Sequence, residues 1–161
     1  MKDSLLQYLK SNNIEYNLSE HEPVLNVEQA NKFWAEIEGV HCKNLFLRDK
    51  RGKQHYLVVT EKDKAVSIQK LNEILGNNEK LSFASERRLT KYLNLIQGAV
   101  SPFGLLNDTG NHVIALIDKD LKNTGIINFH PNVNTATLSL SFVDFERFLN
   151  LSNNSYRYIG L

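Results

Sequence analysis

The chain has 161 residues, 42% hydrophobic and 23% charged, the balance of an ordinary globular protein able to build one proper core. A formal charge of +1 excludes a strongly basic, non-specific nucleic-acid binder, but leaves room for a small basic rim around a pocket receiving one RNA end. The single cysteine, Cys42, excludes an internal disulfide framework.

The charged start Lys2-Asp3 argues against a secretory signal, and no apolar run approaches the roughly 20 residues of a membrane span. The expected address is therefore the cytoplasm, with no membrane partner. Three prolines and eight glycines leave no room for a long linker, so residues 1–161 read as a single domain.

In chain order, residues 2–11 place Leu5, Leu6 and Leu9 at helical spacing until Ser11-Asn12-Asn13 stops the pattern. Ile14 to Leu18 alternates as a short strand, His21-Glu22-Pro23 turns, and Val27 to Trp34 forms a second helix. Leu45-Phe46-Leu47 and Tyr56 to Val59 are strand-like runs flanking Arg48 to Lys53, the clearest hairpin in the sequence. Ile68 to Leu75 is helical and ends at Gly76; Leu81-Ser82-Phe83 is a short strand; Ser85 to Leu95 is a helix exposing Arg87, Arg88 and Lys91. Gly98 to Asp108 is a loop. Val113 to Ile117, Gly125 to Phe129 and Thr135 to Ser141 are strands, and Ser141 with Asp144 opens a last helix through Leu149. The expected class is α+β, with helices packed around a mixed, largely antiparallel sheet.

Three segments depart from plain packing. Lys43 stands at the mouth of an apolar strand, where a held ammonium can stabilise an oxyanion or contact a phosphate. Its spacing alone favours the blander alternative, a solvated lysine that blunts a strand edge. Gly98-Ala99-Val100-Ser101-Pro102-Phe103-Gly104 constrains its backbone and leaves amides or carbonyls free for a ligand; a tight structural loop is the alternative. His130, in Phe129-His130-Pro131-Asn132, could position a substrate or water, or simply satisfy a turn carbonyl.

Lys43-Asn44-Leu45-Phe46-Leu47-Arg48-Asp49, the 98–102 loop continuing to Asp108, and Phe129 to Asn132 resemble the YbaK and prolyl-tRNA-synthetase-associated editing domain family. The likeness runs in register from about His21 to Phe148. It is nearest to the stand-alone alanyl-tRNA(Pro) deacylase branch rather than the cysteinyl-tRNA(Pro) branch.

The resemblance implies a metal-free trans-editing hydrolase with no cofactor. Lys43 would be the key cation, Asn44 would help hold the terminal nucleotide, and carbonyls of Gly98 to Pro102 would receive the α-amino group. His130 would stand at the pocket wall, and water would attack with help from the substrate's own 2′-hydroxyl. The partner implied is the acceptor end of tRNA(Pro) carrying a small amino acid, with prolyl-tRNA synthetase a further candidate. Asn26 stands where relatives commonly carry threonine, and His41-Cys42 replaces a more usual His-Thr; both bear on substrate choice.

Two other readings stay open on sequence alone: a non-catalytic module binding an aminoacyl-tRNA end or a synthetase, and a deacylase for cysteine or serine. A zinc hydrolase built on His21, His41, Cys42 and His130 lacks any familiar ligand spacing. Lys50, Arg51 and Lys53, or Arg87, Arg88 and Lys91, could meet acceptor-stem phosphates, though such clusters are usually solvated faces. Phe33, Trp34, Phe142, Phe145 and Phe148 are expected in the core.

Overall fold

The structure, a computed structural model, describes residues 2–23, 27–76 and 80–161. The helices are α1 (Lys2–Ser11), α2 (Val27–Trp34), α3 (Ile68–Ile74), α4 (Glu86–Leu93) and α5 (Phe142–Leu151). The strands are β1 (Asn17–Glu20), β2 (Val40–Arg48), β3 (His55–Glu61), β4 (Ser82–Phe83), β5 (Val113–Asp118), β6 (Ile126–Phe129), β7 (Ala136–Ser141) and β8 (Tyr156–Ile159). They form one sheet in the order β1-β7-β6-β2-β3-β5-β8, with β4 added to β2. Among these strands, β1–β7, β2–β3, β2–β4 and β6–β7 pair antiparallel, while β2–β6, β3–β5 and β5–β8 pair parallel.

Local chemistry sets the helix limits. Ser67, Ser85 and Ser141 each cap a helix by accepting from a backbone amide three residues on, those of Lys70, Arg88 and Asp144. The expected box at Ser141 and Asp144 is thus present as a one-way cap. α4 ends at Leu93, earlier than the apolar pattern suggests, because Asn94 adopts a left-handed conformation at φ 53° and closes the helix.

The central strand β3 is buried at nearly every position because both sheet faces are covered. Leu57 and Val59 join the larger core with Leu5 and Leu9 of α1, Leu89 and Leu93 of α4, and Phe145 and Phe148 of α5. Tyr56 and Val58 face a smaller core with Leu47, Leu71 of α3, Leu116 and Ile159. This alternation also sorts β2: Cys42 and Phe46 belong to the larger core, Leu45 and Leu47 to the smaller.

Several expectations need correction. β1 begins at Asn17, and Ile14 is a buried core residue before it. β2 begins at Val40, so Lys43 lies inside the strand rather than at its mouth. Within the 98–108 segment, Pro102–Asn107 forms a 3-10 helix started by Ser101, whose hydroxyl accepts from the Phe103 amide at 3.0 Å. The strand β8, absent from the sequence reading, completes the β5 edge. No helix of the described residues is long and apolar enough to cross a membrane.

Candidate functional site

The site originates in a gap along one edge of β2. On its first edge β2 pairs with β3 continuously from Cys42 to Arg48. On its second edge it pairs with β6 at Val40 and His41, then with β4 at Leu47 and Arg48. Between those contacts the sheet parts. A cleft of about 450 Å³ occupies the opening, lined by Cys42 to Phe46, with Trp34, Phe83, Glu86, Leu89, Gly98, Val100 and His130 among its walls.

Adjacent residues of a strand project to opposite faces. Lys43 and Asn44 both reach the cleft because it opens along an edge and so meets both faces. Among the described residues the Lys43 ammonium, half-buried, forms no ion pair, leaving its charge for a ligand. Asn44 donates from Nδ2 to the Val100 carbonyl at 3.2 Å. A carbonyl can only accept, so this bond orients the amide, and Asn44 Oδ1 is left as a buried acceptor without a partner among the described residues. Such an atom costs about 1–3 kcal/mol unless something donates to it.

The far wall comes from the loop after α4. Gly98 has φ +88°, a left-handed conformation that suits glycine, and the space beside its Cα is open. Gly98 and Val100 line the cleft. The side chains of Ala99, Ser101, Pro102 and Phe103 are instead buried behind it, with Phe103 edge-on to Phe129 and Phe148 in the core. The loop therefore presents a main-chain surface held from behind by packed side chains. Asn26 lies outside the described residues.

His130 comes to the same cleft from the end of β6. Its Nδ1 donates to the Ala136 carbonyl at 3.3 Å, leaving Nε2 as the acceptor, and burial lowers its pKa so that the ring stays neutral near pH 7. Trp34, expected in the core, is a cleft wall instead: it stacks on His41 at 4.8 Å and tilts against His130 at 6.1 Å. Burial also lowers the His41 pKa. Nothing in the local sequence of α2 identifies Trp34 as a site residue, because its position depends on where β2 and β6 separate. Phe83, Glu86 and Leu89 escaped the sequence reading for the same reason.

Cys42 lines the cleft, but burial pushes its thiol far above the usual range and makes it a poor nucleophile or ligand. His21 is engaged elsewhere, bonding Thr137 Oγ1 at 3.0 Å and the Glu22 carbonyl at 2.9 Å. Among the described residues, no three His, Cys, Asp or Glu side chains are grouped so as to hold a metal ion. A larger groove of about 800 Å³, beside Lys10, Asn13 to Asn17 and Ser139 to Ser141, contains none of the candidate residues.

The basic clusters separate. Lys50, Arg51 and Lys53 are exposed on the β2–β3 turn, and Arg87 and Lys91 are exposed on α4. Arg88 is not on that exposed side: it donates to the Gly52 carbonyl and to His55 Nε2, each at 3.0 Å. The φ of +67° at Gly52 favours glycine, and a Cβ there would lie 2.6 Å from the Arg88 guanidinium and push it aside.

Comparison with known proteins accords with this geometry. Residues 21–148 match the family model described as the aminoacyl-tRNA editing domain. The prolyl-tRNA editing protein ProX of Acetoanaerobium sticklandii is 44% identical over 99% of this chain and 97% of its own. The prolyl-tRNA synthetase associated domain-containing protein 1 of Danio rerio is 36% identical over 92% of this chain and 81% of its own. A crystal structure of a candidate trans-editing enzyme for prolyl tRNA synthetase superposes with a TM-score of 0.71, at 15% identity, over 99% of this chain and 97% of that one; at that identity it speaks to the fold alone. The mixed sheet parted beside Lys43 is thus the frame of a member of the aminoacyl-tRNA editing domain family.

Proposed function

We propose that residues 1–161 act as one free-standing deacylase that hydrolyses the ester of a mischarged proline tRNA, with alanine the preferred amino acid. The observation that carries this reading is the meeting of Lys43, Asn44 and the Gly98–Val100 main chain in one cleft. An aminoacyl ester presents an α-ammonium, an ester carbonyl and a nucleotide, and the cleft offers a counterpart to the first two.

Main-chain carbonyls of the 98–102 loop, together with the unpartnered Asn44 Oδ1, suit the α-ammonium. The Lys43 cation suits the oxyanion that forms when water adds to the ester carbon, since a fixed charge in a partly dehydrated cleft acts strongly on developing charge. The tetrahedral intermediate then collapses, the C–O bond to the ribose breaks, and the ribose oxygen takes up the proton given up by the attacking water, so the tRNA leaves with its hydroxyl restored. His130, neutral and fixed by Ala136, bounds the acyl end rather than carrying a charge. Attack assisted by the substrate's 2′-hydroxyl accounts for a cleft with no activated side-chain nucleophile among these residues.

The need for such an enzyme follows from energetics. A synthetase site shaped for proline rejects the smaller alanine poorly, because a missing methylene is worth only about 1–3 kcal/mol. A second site too small for proline's ring can then remove alanine while sparing the correct product. The partner proposed is the acceptor end of tRNA(Pro), with prolyl-tRNA synthetase as a further contact and the cytoplasm as the setting.

The test is single-turnover deacylation of tRNA(Pro) charged with alanine, serine, cysteine or proline, by the wild type and Lys43→Ala. Alanine should be released fastest and proline spared, and Lys43→Ala should lose at least about 100-fold while its circular dichroism is unchanged. Rates equal to spontaneous hydrolysis for every wild-type reaction would overturn the deacylase reading in favour of a binding module.

A further inference from the structure

Phe83 is 63% exposed, which leaves most of an apolar ring in water, and it lines the cleft just described. Its backbone is not loose. β4 pairs antiparallel with β2, Phe83 opposite Leu47 and Ser82 opposite Arg48. The Ala84 amide donates to the Phe46 carbonyl at 2.9 Å, which fixes the strand immediately after the ring.

Register determines which way the ring stands. Directly opposed residues in an antiparallel pair share a sheet face. Phe83 therefore stands on the face of Leu47, and Leu45 and Lys43 follow on that same face at intervals of two. Lys43 and Leu47 are separated by roughly 13 Å along the strand at about 3.3 Å per residue. Extended from one end, a lysine side chain, and from the other, a benzyl ring, bracket a space suited to a nucleoside bearing an acyl group.

We propose that Phe83 is the stacking platform for the base of the substrate's 3′-terminal adenosine. This rests on the deacylase reading and adds the recognition of the nucleoside to it. A flat apolar ring on the same sheet face as Lys43, but set apart from it along the strand, fits the base of the nucleoside whose ester the Lys43 cation would meet. A single exposed ring is much smaller than the roughly 1,000 Å² that a stable protein partner would cover. Base–aromatic stacking is substantial per base by alanine substitution, so one exposed ring is enough to contribute measurably. Phe83 would thus be a binding residue for the leaving half of the substrate, remote from the bond that is cut.

The experiment uses the full chain and two non-hydrolysable probes: 3′-deoxy-3′-alanylamido-adenosine, and the same alanylamido ribose without its base. Calorimetry is run on the wild type, Phe83→Ala and Phe83→Trp. Phe83→Ala should weaken the adenosine probe by about 10-fold or more, leave the base-free probe within 2-fold, and be restored by Phe83→Trp. With alanyl-tRNA(Pro), Phe83→Ala should raise KM while kcat is retained. Equal losses for both probes, or unaltered adenosine binding by a folded Phe83→Ala, would overturn the platform. The failure of the deacylase reading is a separate result, wild-type protein releasing no amino acid, and the two-probe comparison still decides the platform in that event.

Discussion

Asn44 of β2 donates to the carbonyl of Val100, tying the strand that carries Lys43 to the loop that carries Gly98. The cleft is therefore cross-braced between two segments far apart in sequence, and its width depends on that tie. Asn44→Ala should lower stability by only about 1 kcal/mol, the worth of one ordinary hydrogen bond. It should cost more in deacylation, about 10-fold or greater in kcat/KM, because the loop is released and the orphaned Oδ1 is lost. Urea denaturation beside single-turnover rates separates the two effects.

The role proposed for Lys43 is that of a point charge held on a strand. Lys43→Arg keeps the charge but presents a planar fork of different reach, so it should recover less than a tenth of wild-type activity. Full recovery in a rate assay would show that net charge alone is what the cleft requires.

Gly98→Ala introduces no collision, since the space beside it is open, but it forces an L side chain to φ +88°. The strain should cost roughly 1–2 kcal/mol in stability. The new methyl group would project beside the cleft, so alanine release should slow by more than that loss predicts. Thermal denaturation and kcat/KM measured on the same preparation would show the difference.

Arg87 and Arg88 should behave differently although they are neighbours. Arg87→Glu, on the exposed side of α4, should leave the melting temperature within a few degrees. If α4 meets acceptor-stem phosphate, it should also reduce the salt slope of KM by about 1. Arg88→Glu should destabilise the fold by several degrees or more, because it removes the donor to Gly52 and His55 and sets a carboxylate against them. Melting curves and KM across a salt series distinguish the two roles.

Acid should weaken the protein through its buried histidines. Burial, then the neighbouring Arg88 cation, lowers His55 to a pKa of about 4, and burial lowers His41 and His130 in the same direction. Above the unfolded value near 6.5 both states are neutral and stability is complete. As pH falls from about 6.5 to about 4 the unfolded chain binds protons that folded His55 refuses, so stability declines across that window. The His55 share is on the order of 2–3 kcal/mol. Urea midpoints at pH 7.5, 6 and 4.5 should fall in that order, with a shallower decline in His55→Gln.

Much of the fold could be read from the residues because its signals are local. Ser141 with Asp144, the glycine after α3, and the hairpin around Gly52 each act within a few positions. Apolar spacing overstates the length of α4 because Leu95 continues the apolar rhythm, while Asn94 ends the helix by a backbone choice that apolar spacing does not encode. Lys43, Asn44 and the 98–102 loop could be singled out by resemblance, yet their spacing alone favoured a solvated edge lysine. What joins them is a long-range event, the departure of β6 from β2 after His41. Trp34 and Phe83 acquire their places from that same event, and neither residue's neighbours in sequence announce it. Arg88 looked like one more surface cation, since its role depends on a turn 36 residues earlier.

The parted edge of β2 has a consequence for how this enzyme can change. The residues that face the opening keep an unbroken ladder with β3 on their other side, from Cys42 to Arg48. The main-chain bonds of that ladder do not depend on which side chain stands at the opening, much as a window can be reglazed without moving its frame. A replacement at Leu45, partly buried on that edge, would reshape the cleft while the main-chain ladder to β3 stays in place.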